Sequence, residues 1–353
     1  MRKVGILGMG RWGQTWQRVL APEPGVQVVA VAARSRRAEI SSRAPRLRVY
    51  DDYRTLLRDQ DLDAVIVTLP PGEHLEAVRI AVGRDLPVLC EKPLVPTRSE
   101  LQEMVALDES AGVAVRVNQN YRLRGWACAV FDHLPAIGRL RRVTIEFAQP
   151  ELTDGERTVL AHPLLADMSI HHLDLLRYLT GQEARVLSAE AGRPDDARVW
   201  GMTDVDARLA LAEGAEVSYR ATWAARGRPT SWDGDWTFEG DDGVISVRDL
   251  GVHIQADRHP LRIVPPSPVV DDEDLLVAWR SFVRVMEGEE SRRPATVADN
   301  ARSLELVFDI ADAAGVADPS ARLAAPLGAD PHAATTSPVA VQTSEGVSSN
   351  STS

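Results

Sequence analysis

Apolar and polar positions follow two different patterns along the chain, and the change between them divides it. Over the first 120 residues, short and nearly continuous apolar runs read as strands: Val4–Leu7, Val26–Ala32, Ala64–Val67, Val88–Leu89 and Val113–Val117. Helical spacing marks Trp12–Leu20, Tyr53–Arg58, Glu73–Gly83 and Ser99–Ala111. Strands that are apolar on both faces and alternate with helices predict a parallel, doubly wound sheet covered on both sides. After Gly138 most of the helices drop out. Arg141–Ala148, Ala207–Leu211, Glu216–Trp223, Trp236–Glu239 and Val244–Val247 predict strands, with Gly240-Asp241-Asp242-Gly243 turning between the last two. This second half reads as a mixed or antiparallel sheet with a helix near Leu173–Leu179. Helix then returns. Leu275, Leu276, Trp279, Phe282, Val283 and Met286 form one apolar face after the acidic start Asp271–Asp274. Thr296-Val297-Ala298-Asp299 has the form of a capping box opening a last helix to about Ala314.

The expected organisation is α/β throughout. Residues 1–120 form a dinucleotide-binding domain of Rossmann type, and residues 121–317 an α+β substrate domain with C-terminal helices. From Asp318 to residue 353 no aromatic residue occurs and Ala, Pro, Ser and Thr dominate. That stretch is expected to be disordered, because it has too little apolar surface to offset its ordering entropy.

A length of 353 residues fits roughly two domains, and 44% hydrophobic with 26% charged residues is ordinary globular composition. The net charge of −11 argues against a dominant nucleic-acid or anionic-membrane partner. Cys90 and Cys128 are too few for a disulfide framework or a cysteine-rich zinc site, and read as reduced thiols of a cytoplasmic protein. No apolar run reaches the roughly 18 residues of a membrane span. The apolar stretch after Met1-Arg2-Lys3 is broken by glycines and Arg11, so no export signal is expected. The basic residues carry an unusual bias: only Lys3 and Lys92 are lysines among 40 Lys and Arg residues.

Gly8-Met9-Gly10-Arg11-Trp12-Gly13 fits G-x-G-x-x-G with a strand before it and a helix after it. In such a loop Gly8 permits the tight turn, Gly10 the close approach of a pyrophosphate, and Gly13 the packing of helix on strand. The helix N-terminus offers free N–H groups to the phosphates, flanked by Arg11 and Trp12. At the end of the second strand, Ala33-Arg34-Ser35-Arg36-Arg37 lacks the carboxylate that usually binds the NAD ribose. Arg34, Ser35 and Arg36 would accept a 2′-phosphate, so NADP is favoured over NAD.

Glu91-Lys92-Pro93 follows an apolar strand end, where the ligand clefts of doubly wound sheets open. Lys92 stays lysine in a chain that otherwise prefers arginine, and lysine is a compact donor with a tunable pKa. Asp167, His171 and Asp174 fall within an arc of roughly 60° if the segment is helical, with His172 turned aside. Histidine is suited to proton exchange near neutral pH, and a neighbouring carboxylate can orient it. The same spacing also suits a metal site or a structural cluster, although without a second His or Cys at ligand spacing no metal is expected.

Taken together, these segments resemble the glucose-fructose oxidoreductase, inositol dehydrogenase and MocA family of sugar and cyclitol oxidoreductases. The resemblance spans about residues 3–315. It rests on the glycine loop, Thr68-Leu69-Pro70-Pro71 with His74, Glu91-Lys92-Pro93, the Asn118–Arg122 run, Ile137-Gly138-Arg139-Leu140, and Asp167…His171…Asp174 before Arg177-Tyr178-Leu179-Thr180-Gly181. It implies a Rossmann domain followed by a domain whose open sheet often joins subunits, hence a homodimer or homotetramer. It implies Lys92, His171 and Asp167 as the catalytic group, and Thr68, Pro70, His74, Glu91 and Lys92 beside the cofactor. Tyr121 and Arg122 are implied to join Lys92, Asp167 and His171 around the substrate. The chain departs from the family where His162-Pro163-Leu164-Leu165-Ala166 precedes Asp167 and where Ser169 replaces a common glycine. The expected activity is hydride transfer between a nicotinamide cofactor and a secondary alcohol or ketone of a sugar, sugar derivative or cyclitol. Two alternatives remain open: a dinucleotide-binding sensor of the same fold, and redox-assisted glycoside cleavage. Trp200, Trp223, Trp232 and Trp236 are candidates for stacking on a sugar face, or for the core.

Overall fold

The computed structural model describes residues 1–35, 37–151, 156–195, 201–257, 261–265, 272–289 and 295–323, with the backbone alone at 43, 156 and 157. The chain opens with β1 (Arg2–Leu7), α1 (Arg11–Leu20), β2 (Val26–Ala32), α2 (Arg37–Arg43), β3 (Arg48–Tyr50), α3 (Tyr53–Asp59), β4 (Ala64–Val67), α4 (His74–Val82), β5 (Val88–Cys90), α5 (Arg98–Ser110) and β6 (Val115–Val117). These strands lie in the order β6-β5-β4-β1-β2-β3 and every neighbouring pair is parallel. All four residues of β4 are fully buried, as a strand covered on both faces requires. The strand order reverses between β1 and β4, and the crevice at their carboxyl ends is the place where such sheets bind ligands.

The second part contains α6 (Gly125–His133), β7 (Leu140–Ala148), α7 (Ser169–Thr180), β8 (Ala184–Gly192), β9 (Asp204–Leu211), β10 (Glu216–Thr222), β11 (Asp235–Gly240), β12 (Gly243–Arg248), β13 (Gly251–Ala256) and β14 (Arg262–Val264). They build a sheet ordered β14-β13-β12-β11-β7-β10-β9-β8, in which β7 and β10 pair in parallel and the other pairs are antiparallel. Val143, Ile145, Phe147, Tyr219, Trp236 and Phe238 are buried on its inner face. Its outer face carries ion pairs between neighbouring strands, among them Arg220–Asp206 at 3.0 Å and Arg142–Glu239 at 3.6 Å.

After the second sheet the chain returns to the first. Helix α8 (Glu273–Met286) buries Leu275, Ala278, Trp279 and Phe282 against Val4, Ile6 and Trp16. The short strand β15 (Ala295–Thr296) then adds antiparallel to the edge of β6. Helix α9 (Val297–Ala313) packs against α5, α7 and β8. The C-terminal helices thus do not all sit with the second domain, because the apolar face of α8 completes the core beneath α1. Thr296 caps α9 by accepting from the Asp299 amide at 3.1 Å, whereas the Asp299 carboxylate turns to arginines.

The expected disordered tail requires correction at its start. Ala161 and His162 donate to the carbonyls of Ala321 and Pro319, and the Leu323 amide donates to Val159. Backbone pairing holds these residues, with Pro319 buried and Ala321 and Leu323 half-buried beside it. The rest of that expectation, residues 324–353, lies outside the described residues. Among the described residues no helix is long and apolar enough to cross a membrane.

Candidate active site

The glycine loop is built as its residue types require. Gly8 has φ +107°, in the left-handed region, and a Cβ there would lie 2.7 Å from the Thr68 carbonyl oxygen. A Cβ on Gly13 would lie 2.0 Å from the Gly8 carbonyl oxygen. At Gly10 a Cβ would meet nothing within 4 Å, so the N-terminus of α1 faces open space. No acidic residue stands in the first turn of α1. The cradle therefore fits a pyrophosphate, with amide N–H groups and the positive helix end toward it. Thr68 fastens the far wall by donating to the Gly8 carbonyl at 2.7 Å. The Arg11 guanidinium lies 5.9 Å from the centre of the half-buried Trp12 ring.

Glu91, Lys92 and Asn118 leave adjacent strands β5 and β6 at their carboxyl ends. Glu91 is buried and accepts from Trp16 Nε1 and Asn118 Nδ2, both at 2.8 Å. Burial pushes its carboxyl up from the ordinary range, against the two hydrogen bonds and the Lys92 charge. Asn118 Oδ1 and both amide atoms of Gln119 are buried without a hydrogen-bond partner among the described residues. Orphaned amide groups beside a ligand crevice fit a polar ligand group such as a carboxamide. Sequence reasoning reached Asn118 and Gln119 only as part of a resembling run, since an amide pair has no spacing signature.

Lys92 is the buried lysine, with its side chain 4% exposed. Its Nζ donates to Asp167 Oδ1 and to the Asp167 backbone carbonyl, both at 2.9 Å. Lys3, the other lysine, pairs with the exposed Asp61. Asp167 lies in a π-helical turn, Leu164–Met168, directly before α7. Such wide turns recur at functional sites. This one lets both the carbonyl and the carboxylate of Asp167 face Lys92. Asp167 is thereby joined to Lys92 through two of its oxygens.

His171 stacks face to face on Tyr121, with ring centres 4.0 Å apart and planes 9° from parallel. Tyr121 follows β6 in a 3₁₀ turn, and the Arg124 guanidinium lies 3.6 Å from its ring centre. Steric exclusion puts Arg124 on the face opposite His171. Arg124 is held by ion pairs with Asp233 and Asp274. Burial pushes the Tyr121 hydroxyl up to about 12, with Arg124 opposing and Asp167 adding to the shift. Arg124 and Asp233 had no motif to mark them. His172 points the other way, with Nδ1 3.1 Å from the Tyr219 hydroxyl, which donates to Ser169 Oγ at 2.9 Å.

Two residues expected beside the ligands are held by protein partners. Arg122 gives Nε and Nη2 to Asp174 and a further bond to Asp299, each at 2.6 Å, so it braces α7 where a substrate contact was expected. Burial opposes its charge, yet the two carboxylates more than offset this and raise its pKa. Asp174 is likewise committed, accepting from Arg122 and Ser303. His74 is fully buried, with Nε2 2.8 Å from the Leu69 carbonyl and Nδ1 3.1 Å from that of Leu94. It ties the loop after β4 to the segment after Pro93 and has no exposed edge for a cofactor. Pro70 caps the turn Pro71–Glu73 in that loop. Arg34 and Ser35 are exposed at the end of β2, and Arg36 lies outside the described residues. Among the tryptophans, Trp223 and Trp236 are core, Trp232 is 43% exposed, and Trp200 lies outside the described residues.

Residues 2–119 match a family described as oxidoreductase family, NAD-binding Rossmann fold, and residues 135–246 match the GFO/IDH/MocA C-terminal domain. A dTDP-3,4-didehydro-2,6-dideoxy-alpha-D-glucose 3-reductase of Saccharopolyspora spinosa is 31% identical over 248 residues, 64% of this chain and 73% of that protein. An inositol 2-dehydrogenase of Acidothermus cellulolyticus is 32% identical over 197 residues, covering 54% of this chain and 57% of the relative. Among solved structures, an oxidoreductase from Agrobacterium radiobacter in complex with NAD+, L-tartaric acid and magnesium superposes with a TM-score of 0.81. It is 21% identical and matches 89% of this chain and 96% of that one. A levoglucosan dehydrogenase in complex with NADH and levoglucosan gives a TM-score of 0.77 at 22% identity, over 89% of this chain and 97% of that one. The chain belongs to the Gfo/Idh/MocA family of NAD(P) oxidoreductases.

Proposed function

We propose that this protein oxidises a secondary alcohol, or reduces the corresponding ketone, of a sugar, sugar derivative or cyclitol. Residues 1–120 would hold the dinucleotide and the following domain the substrate. A nicotinamide bound at this crevice supplies the hydride acceptor or donor. In the oxidation direction a ring nitrogen of His171 takes the hydroxyl proton, and the Lys92 ammonium holds the developing charge on the oxygen. Asp167 keeps Lys92 pointed into the cleft, and the stacked Tyr121 fixes the plane of the His171 ring. In reduction the same groups return the proton. Gly8, Gly10 and Gly13 would cradle the pyrophosphate. Arg34 and Ser35 would accept a 2′-phosphate, which favours NADP.

The observation that carries this reading is a lysine with a 4% exposed side chain, bonded to Asp167 four residues before the stacked His171. Burying an ammonium is costly unless it is paired, and a surface role would have been served by arginine. The resemblance also leads us to propose a homodimer or homotetramer through the charged outer face of the second sheet, which light scattering would check. The test of function is reduction of NAD or NADP with a panel of cyclitols, aldoses and their derivatives. Turnover on a panel member with the wild type, and a loss of kcat of about 10²-fold or more in Lys92→Ala at saturating cofactor, is the expected result. Binding of cofactor with no turnover on any panel member would favour the sensor. Near-normal turnover of Lys92→Ala would remove Lys92 from the mechanism.

A further inference from the structure

The arginines that follow β2 are already paired with carboxylates. Arg34 Nη1 lies 3.3 Å from Glu73 Oε1, and Arg37 Nη1 lies 2.9 Å from Asp51 Oδ2. The two pairs differ in kind. Asp51 is a 69% exposed side chain, free to swing aside. Glu73 is only 29% exposed and ends the short turn Pro71–Glu73, whose cap is Pro70. Pro70 and Pro71 restrict the start of that turn, and Glu73 is also the cap residue of α4, so its carboxylate is presented to Arg34 from the start of a helix. The turn follows β4, on the far side of β1 from β2, so Glu73 arrives from across the strand-order reversal.

We propose that Glu73 is a cofactor-specificity residue, competing with the 2′-phosphate of NADP for the Arg34 guanidinium and so keeping the preference for NADP over NAD narrow. This rests on the reading that the crevice binds a nicotinamide dinucleotide. A phosphate monoester carries about −1.5 to −2 charges at neutral pH. To use Arg34 it must displace the Glu73 carboxylate, whereas the neutral 2′-hydroxyl of NAD needs no cation and can itself donate to a carboxylate. Arg34 is 73% exposed, so solvent screens the competition and the effect is a modest factor.

The test measures dissociation constants of NADPH and NADH by cofactor fluorescence on the full chain, with no turnover involved. Wild type, Glu73→Gln, Arg34→Ala and the double variant are compared at low ionic strength. Glu73→Gln is expected to raise the ratio of NADPH to NADH affinity about three- to five-fold. Arg34→Ala lowers that ratio, and in its background Glu73→Gln shifts the ratio by less than half as much on a logarithmic scale. An unchanged ratio in Glu73→Gln overturns the proposal. So does an equal rise with and without Arg34, which would make Glu73 a source of plain repulsion. Failure of the wild type to bind either nucleotide overturns the dinucleotide reading itself, and is separately visible. Thermal unfolding of each variant verifies that these surface changes leave the fold intact.

Discussion

Glu91 shows how one side chain serves two structures. Its carboxyl joins α1, through Trp16, to the end of β6, through Asn118, directly beside Lys92. Burial raises its pKa, so the ionised form is the disfavoured one in the folded chain. A group whose folded pKa lies above its unfolded value supports stability below the unfolded pKa, about 4.3 for Glu. That support is lost as pH rises through the folded value. Glu91→Gln keeps an acceptor for Trp16 and Asn118 and has no charge to bury. Its melting temperature relative to wild type is therefore expected to rise by a few degrees between pH 4 and pH 7. A relative fall over the same interval would show that the Glu91 anion is stabilised in place. Lys92 was legible in the sequence because its residue type ran against the arginine habit of the chain. Arg124 and Glu73 were not, since their partners, Asp233 and Arg34, come close only through the tertiary fold.

At the scale of elements, α7 is the platform of the site. The π-helical turn before it carries Asp167, its first turn carries His171, and its body is held through Asp174 and Arg177 by Arg122, Asp299 and Ser303. Arg122 and Asp174 are both buried, with side chains 3% and 2% exposed. Removing one member of such a pair leaves an uncompensated charge, at a cost of about 3–5 kcal/mol. Asp174→Ala is expected to lose about that much in urea unfolding, with Lys92 and the nucleotide cradle unaltered in sequence. A loss below about 1 kcal/mol would mean that Asp299 alone satisfies Arg122. The helical arc predicted for residues 167, 171 and 174 placed three groups on one face, but the π-helical turn and Arg122 divide their tasks. Elements with strong periodicity were foreseen, among them α1, α5 and α9. Strand β8 was not, because its Ala, Arg, Leu and Glu residues favour helix and its strand form comes from pairing with β9. Helix α6 lacks a clean apolar period, and β3 is three residues long.

Across the whole molecule, two sheets meet around the crevice, and neither holds the site alone. The first supplies the glycine loop, Glu91 and Lys92 from strand ends; the second part supplies Asp167 from the π-helical turn and His171 from α7, supported on the inner face of its sheet. Helix α8 and β15 couple the two by returning to the first sheet after the second is complete. That return is invisible to local pattern, because an amphipathic helix does not announce which core it joins. The proposed function requires this junction to present a nicotinamide ring to Lys92 and His171. A crystal structure of the chain with NADP or NAD tests it most directly. The expected result is nicotinamide C4 facing a pocket walled by the Lys92 ammonium and the His171 ring, with the pyrophosphate over Gly10. A dinucleotide bound elsewhere, or one whose nicotinamide lies in solvent beyond reach of both groups, would contradict it.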